Sequence, residues 1–170
     1  MAPLAFWNRL DQSGKVQPAF MEEALQEAIN GMTSGQGGPF GAVIVKDGKI
    51  VARGHNRVLA TNDPTAHAEV TAIRNACEIL KSFDLSGYEL YTSCYPCPMC
   101  MGAALWARVD AIYYGATAEQ AAEIGFSDAE FHDFLKNPKT DSKRALECIS
   151  LDDVTKPFRM WHEMEHKTLY

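Results

Sequence analysis

No apolar run in this chain approaches the roughly 18 to 20 residues that span a bilayer as a helix. Met1 to Leu10 holds aromatics and Arg9 but lacks the basic start and long apolar centre of a signal peptide, so a cytoplasmic protein with no membrane partner is expected. Positive charge is also short. Sixteen Lys and Arg stand against 22 Asp and Glu, a formal net charge of -6. Clustered Lys and Arg are what grip a phosphate backbone, so this balance argues against a nucleic acid as main partner and suits a small neutral substrate. The five cysteines (Cys77, Cys94, Cys97, Cys100, Cys148) are odd in number and offer no obvious disulfide framework. No repeat, low-complexity block or linker divides the 170 residues, a length that suits one ordinary globular core.

The remaining pattern predicts alternating elements. Phe20 to Met32 has the period of an amphipathic helix, with Ala24, Leu25, Ala28 and Ile29 on its apolar side and Gly31 near its end. Gly35-Gln36-Gly37-Gly38 reads as backbone that passes close to a ligand or strand, because no G-K-[ST] follows to make a phosphate loop. Ala42 to Val45 and Ile50 to Arg53 flank Lys46-Asp47-Gly48-Lys49, whose Asp-Gly centre marks a hairpin. A helix is expected from about Thr65 to Lys81, a strand over Tyr88 to Thr92, a helix through Met101 and Ala104 to Ala107, and a strand over Ala111 to Tyr114. Helical stretches at Glu119 to Ile124 and Asp128 to Leu135, a fifth strand at Leu146 to Leu151 and a last helix from Phe158 to Lys167 complete the series. Such alternation predicts an α/β fold: a mixed five-stranded sheet with helices on both faces.

Two segments carry chemistry: His67-Ala68-Glu69 and Pro96-Cys97-Pro98-Met99-Cys100. One imidazole and two thiolates form a three-ligand zinc set, which leaves the metal a position for water. Glu69 is not needed as a ligand and can move protons. Cys97 and Cys100 are i, i+3 and share a helix face. His67 and Glu69 are i, i+2, which diverge on a regular helix and converge only on something near its end. Asn62-Asp63-Pro64-Thr65 supplies an end, with Asp63 as N-cap and Pro64 as first helical residue. A helix N-terminus also favours thiolate. Taken singly, C-x-x-C equally fits a redox pair or half of a structural zinc ribbon, and a lone His fits a core. Cys94 as a fourth ligand would close the site and leave it inert. Together the segments read H-x-E…P-C-x-x-C, the zinc-deaminase signature.

On those residues the chain resembles the cytidine deaminase superfamily, and within it the bacterial enzymes that deaminate guanine. The resemblance runs through Gly38 to Gly48, Asn62 to Ile73, Pro96 to Cys100 with Trp106-Ala107-Arg108, Ala122 to Asp128 and the terminal Tyr170. It covers nearly everything after about Val16, so residues 1–15 read as an N-terminal extension to a deaminase domain at 16–170. The resemblance implies His67, Cys97 and Cys100 as ligands of Zn2+, with Glu69 as main proton carrier and Asp128 as a second catalytic carboxylate. It implies Phe40, Asn56, Ala68, Trp106 and Tyr170 as substrate-binding residues, and a homodimer whose C-terminal segments cross between subunits. The implied reaction is hydrolysis of guanine to xanthine and ammonia. Guanosine, cytosine or transfer-RNA adenosine are alternative substrates, and a non-catalytic structural zinc module is the alternative from another class. On residue type alone, Phe40 and Trp106 also fit a core, Asn56 a turn cap and Asp128 a helix start. Tyr95 departs from the pattern, since many members carry Glu directly before Pro-Cys; this affects packing or pocket shape.

Overall fold

The structure, a computed structural model, describes residues 17–170; the expected extension at residues 1–15 lies outside the described residues. The chain divides into two units, one ending at Asp128 and the other spanning Ala129–Tyr170.

In the first unit the order is α1 (Pro18–Thr33), β1 (Gly41–Lys46), β2 (Lys49–His55), α2 (Val58–Thr61), α3 (Ala68–Leu80), β3 (Glu89–Cys94), α4 (Pro98–Trp106), β4 (Ala111–Ala116) and α5 (Ala118–Glu123). The strands lie in the order β2-β1-β3-β4. β1 is antiparallel to both β2 and β3, and β3 is parallel to β4. Asp47 and Gly48 close the first hairpin with φ of 48° and 72°, the paired left-handed conformations whose twist matches the flanking strands. Alternation along β1 sends its side chains to two covered faces. Val43 and Val45 pack with Tyr91 and with Phe20 of α1. Ala42, Ile44 and Leu90 meet Ala68, Ala72 and Ala76 of α3 and Ala104 of α4. With helices over both faces, β1 reads as an unbroken apolar run.

Ile44, Leu85 and Leu90 are fully buried, and each such side chain contributes about 1.5–3 kcal/mol of transfer free energy. Gly54 governs how closely β2 and α3 approach. A Cβ there would stand 2.4 Å from Ala72 N and 2.7 Å from Ala68 O, so only glycine lets the strand seat the first turns of the helix. On α1 the buried residues are Phe20, Ala24, Ala28 and Gly31, while Leu25 and Ile29 of the expected apolar side are exposed.

The fold is α/β with a mixed sheet, as the sequence predicts, but the sheet has four strands rather than five. Leu146 to Leu151 is not a strand. The apolar alternation breaks between Cys148 and Ile149, and Leu146, Ile149 and Leu151 are exposed, so no single face drives the segment onto a sheet. Around it, the second unit holds α6 (Ala129–Lys136), a 3-10 turn at Pro138–Thr140 and α7 (Lys156–Glu163). α7 stops short of the expected Lys167. Met164 turns extended, with ψ of 125°, and the Lys167 ammonium donates to the carbonyl oxygens of His162 and Met164. No helix among the described residues is long and apolar enough to cross a membrane.

Candidate active site

The two chemical segments fold into matching devices. α3 begins at Ala68 and not at Thr65, because its N-cap is His67 itself, extended with ψ of 162°. Asp63 instead closes the preceding turn: its Oδ1 accepts from Thr65 N at 2.8 Å and from Thr65 Oγ1 at 2.6 Å, a local alternative to capping the helix. The i, i+2 divergence therefore does not arise, since His67 lies before the helix and Glu69 in its first turn. α4 repeats the plan with Cys97 as N-cap, ψ of 167°, Pro98 as first helical residue and Cys100 buried in the first turn. β3 delivers the chain into that loop. Each helix thus starts at a candidate ligand, and the partial positive charge of its N-terminus favours anionic sulfur.

His67 Nδ1 stands 3.6 Å from Cys97 Sγ and 3.5 Å from Cys100 Sγ, and the three donor atoms all lie within 4.8 Å of one another. Among the described residues this is the one His, Cys, Asp and Glu group so arranged. Zinc bonds of about 2.3 Å to sulfur and 2.0–2.1 Å to nitrogen, spread tetrahedrally, place N and S about 3.6 Å apart. The donor set fits zinc. Its electrostatics agree: the hydrogen bond from Cys100, followed by that with His67, pulls the Cys97 thiol well below the ordinary thiol range. The same bond to Cys97, with burial, pushes Cys100 up, and the hydrogen bond with Cys97 raises His67. Two sulfurs this close resist being anions together, and a divalent cation is the charge that allows it. Cys94 stays out of the cluster, with its Sγ 3.6 Å from Thr117 O.

Glu69 is buried, 6% exposed, and its Oε1 accepts from Thr92 Oγ1 at 3.0 Å. Burial holds its carboxyl above the usual carboxylate range, against hydrogen bonds that pull it down. Thr92 is a contact that sequence reasoning missed. The available signal was the pleat, which puts Leu90 and Thr92 on the core face of β3 with the hydroxyl as the odd group among apolar neighbours.

Asn56, 5% exposed, serves as a turn cap, with Oδ1 accepting from Val58 N at 3.1 Å while its backbone N donates to Phe40 O at 3.0 Å. No hydrogen bond among the described residues engages its Nδ2. The glycine loop runs against it: a Cβ on Gly37 would lie 2.1 Å from Asn56 Oδ1, which is the close backbone approach the sequence predicts. Phe40 packs partly buried on the core, and its ring meets Phe126 edge-on at 4.9 Å. Phe126 is a second neighbour that sequence reasoning did not single out. Ala68 is fully buried at the head of α3. Asp128, half-buried, raises the Cys94 thiol through its charge, as Glu69 does, with burial the larger cause. Both carboxylates are thereby within electrostatic reach of the end of β3.

Trp106 is not brought to this cluster. It ends α4, 70% exposed, at the far end of a nine-residue helix that rises about 13 Å from its cap, so it is not core. Tyr170 is exposed in the second unit. Tyr95 stacks edge-on against Tyr114 at 5.1 Å, a packing role that leaves the ligands alone.

Four similarities to known proteins bear on this arrangement. The family model described as the cytidine and deoxycytidylate deaminase zinc-binding region matches residues 15–116. Guanine deaminase of Bacillus subtilis (strain 168) is 46% identical over 151 residues, 89% of this chain and 97% of that protein. The X-ray structure of guanine deaminase from Bacillus subtilis superposes with a TM-score of 0.88 at 45% identity, covering 92% of this chain and 99% of that one. A tRNA-specific adenosine deaminase of Agrobacterium fabrum is 47% identical over 97 residues, 57% of this chain and 63% of that protein.

Proposed function

The chain belongs to the cytidine and deoxycytidylate deaminase family, and on that footing we propose that it hydrolyses guanine to xanthine and ammonia. The observation that carries this reading is the convergence of His67, Cys97 and Cys100 at two helix starts beside the buried Glu69. The likeness to a guanine deaminase runs over 89% of the chain, whereas that to the Agrobacterium tRNA-specific enzyme covers 57%. This favours guanine over transfer-RNA adenosine.

His67 Nδ1 and the sulfurs of Cys97 and Cys100 would hold the zinc ion. When bound, zinc supplies Lewis acidity, lowering the pKa of water toward about 7. Glu69 takes the proton from the water that attacks C2, the ring carbon bearing the amine, and returns it to ring N3. A carboxyl raised above its solution pKa by burial suits both halves of that transfer. Glu69, with Asp128, then carries the proton left on the added oxygen to the departing amine, so that the C2–N bond breaks, ammonia departs and xanthine remains. Asn56 Nδ2 supplies a donor to an acceptor on the purine edge, and Phe40 supplies an aromatic wall. Ala68, fully buried at the head of α3, would back the ring.

The second unit supports a homodimer with exchanged C-terminal segments. None of its residues is buried, and Phe158, Met160 and Trp161 of α7 are exposed, so the segment calls for cover by another surface. In that arrangement Tyr170 of one copy would complete the purine site of the other. We place the protein in the cytoplasm, where reducing conditions keep all five free cysteines as thiols or thiolates. The net charge of -6 supports a small purine and not a nucleic acid as partner.

The test is a panel: ammonia released by zinc-loaded protein from guanine, guanosine, adenine, cytosine, cytidine and a transfer-RNA hairpin. Guanine is expected to give the highest kcat/KM. A preference for the hairpin would overturn the substrate, and zinc-loaded protein that releases nothing from any of them would leave only the structural zinc module.

A further inference from the structure

The Thr92 hydroxyl stands out on its face of the sheet. It is 1% exposed, it lies opposite Ala42 in the β1·β3 register, and its neighbours on that face are Ile44 and Leu90. A buried hydroxyl in such surroundings is costly unless it is hydrogen-bonded. Its partner is Glu69 Oε1 at 3.0 Å, across 23 residues of sequence and between two different elements. The two ends of this bond differ in freedom. Glu69 has a long side chain that swings from the first turn of α3, whereas Thr92 is β-branched and held in an inner strand, paired with β1 on one side and β4 on the other. The strand end therefore fixes the carboxylate.

We propose that Thr92 is a positioning residue for deamination: its hydroxyl pins one oxygen of Glu69 so that the carboxylate meets water and purine in a single orientation. The inference rests on the reading of Glu69 as the proton carrier. A proton carrier has to reach first the attacking water and then the ring nitrogen, and a carboxylate that samples several rotamers spends only part of its time in reach of either. Thr92 touches neither substrate nor metal ligand in this role; it acts through Glu69 alone.

The experiment compares Thr92→Val, which keeps the shape and removes the donor, with Thr92→Ser, which keeps the donor. Thr92→Val is expected to lower kcat for guanine by roughly ten- to a hundredfold, the effect of one unmade hydrogen bond to a carboxylate. KM should stay within about twofold, since the purine loses no contact. Zinc per chain, read by metal analysis, should equal that of the parent, and Thr92→Ser should recover most of the lost turnover. In a Glu69→Gln background Thr92→Val should cost nothing further, because both changes disable one device. If valine prevents folding, Thr92→Ala removes the same donor without added bulk. Parental kcat in Thr92→Val, or loss of zinc together with kcat, would overturn the inference. The two readings separate cleanly: an inactive Glu69→Gln with a fully active Thr92→Val sinks this one alone, while an active Glu69→Gln sinks the role of Glu69 as well.

Discussion

At the scale of the residue, the question is which side chains must be what they are. Glu69 is buried and its carboxyl is lifted by burial; on the proposed mechanism its replacement by an amide of the same shape removes proton transfer and little else. Glu69→Gln is expected to keep its zinc while turnover of guanine falls by about a hundred- to ten-thousandfold, measured as ammonia release beside metal analysis of the same sample. A variant that stays active would take Glu69 out of the mechanism. His67, Glu69, Cys97 and Cys100 were legible in the sequence because ligand chemistry fixes residue types at short spacings. Thr92 and Phe126 were not, since Thr92 reaches Glu69 only through strand register and Phe126 reaches Phe40 only through the return of the chain after α5. Asn56 was legible as two alternatives, a purine partner and a turn cap, and the structure shows the cap on Val58.

At the scale of the element, two helix starts place the chemistry, and the sheet places the helix starts. Gly54 is the point where β2 sets the position of α3. Gly54→Val would drive a side chain into Ala72 N and Ala68 O, backbone that cannot yield without moving the head of α3. The expected outcome is destabilisation of about 1–3 kcal/mol by denaturant unfolding, together with weaker zinc binding, because His67 moves with its helix. Unchanged zinc affinity would mean that the helix start is held by something other than this contact. The hairpin was readable from Asp47-Gly48, whose conformational demands are local. The start of α3 was not, because Asp63 and His67 both satisfy the pattern for an N-cap and only the Asp63 bonds to Thr65 decide between them. The missing fifth strand has the same origin: Leu146 to Leu151 carries strand-forming residues, but a strand exists only where a neighbour and a buried face complete it.

At the scale of the whole molecule, the mixed α/β sheet was legible from the alternation of elements, and the family from the metal segments, whereas the assembly leaves little trace in local pattern. The second unit without buried side chains predicts that the protein is a dimer. Sedimentation equilibrium should give a species near twice the 18.8 kDa chain mass, and a monomer at micromolar concentration with full activity would remove the exchanged tail from the site. The catalytic claim is sharpest for the metal. Chelator-stripped protein titrated with zinc, while ammonia release from guanine is followed, tests it most directly. Activity should rise from nothing and level off at one zinc per chain; activity before zinc is added, or none from protein that holds one zinc per chain, would contradict it.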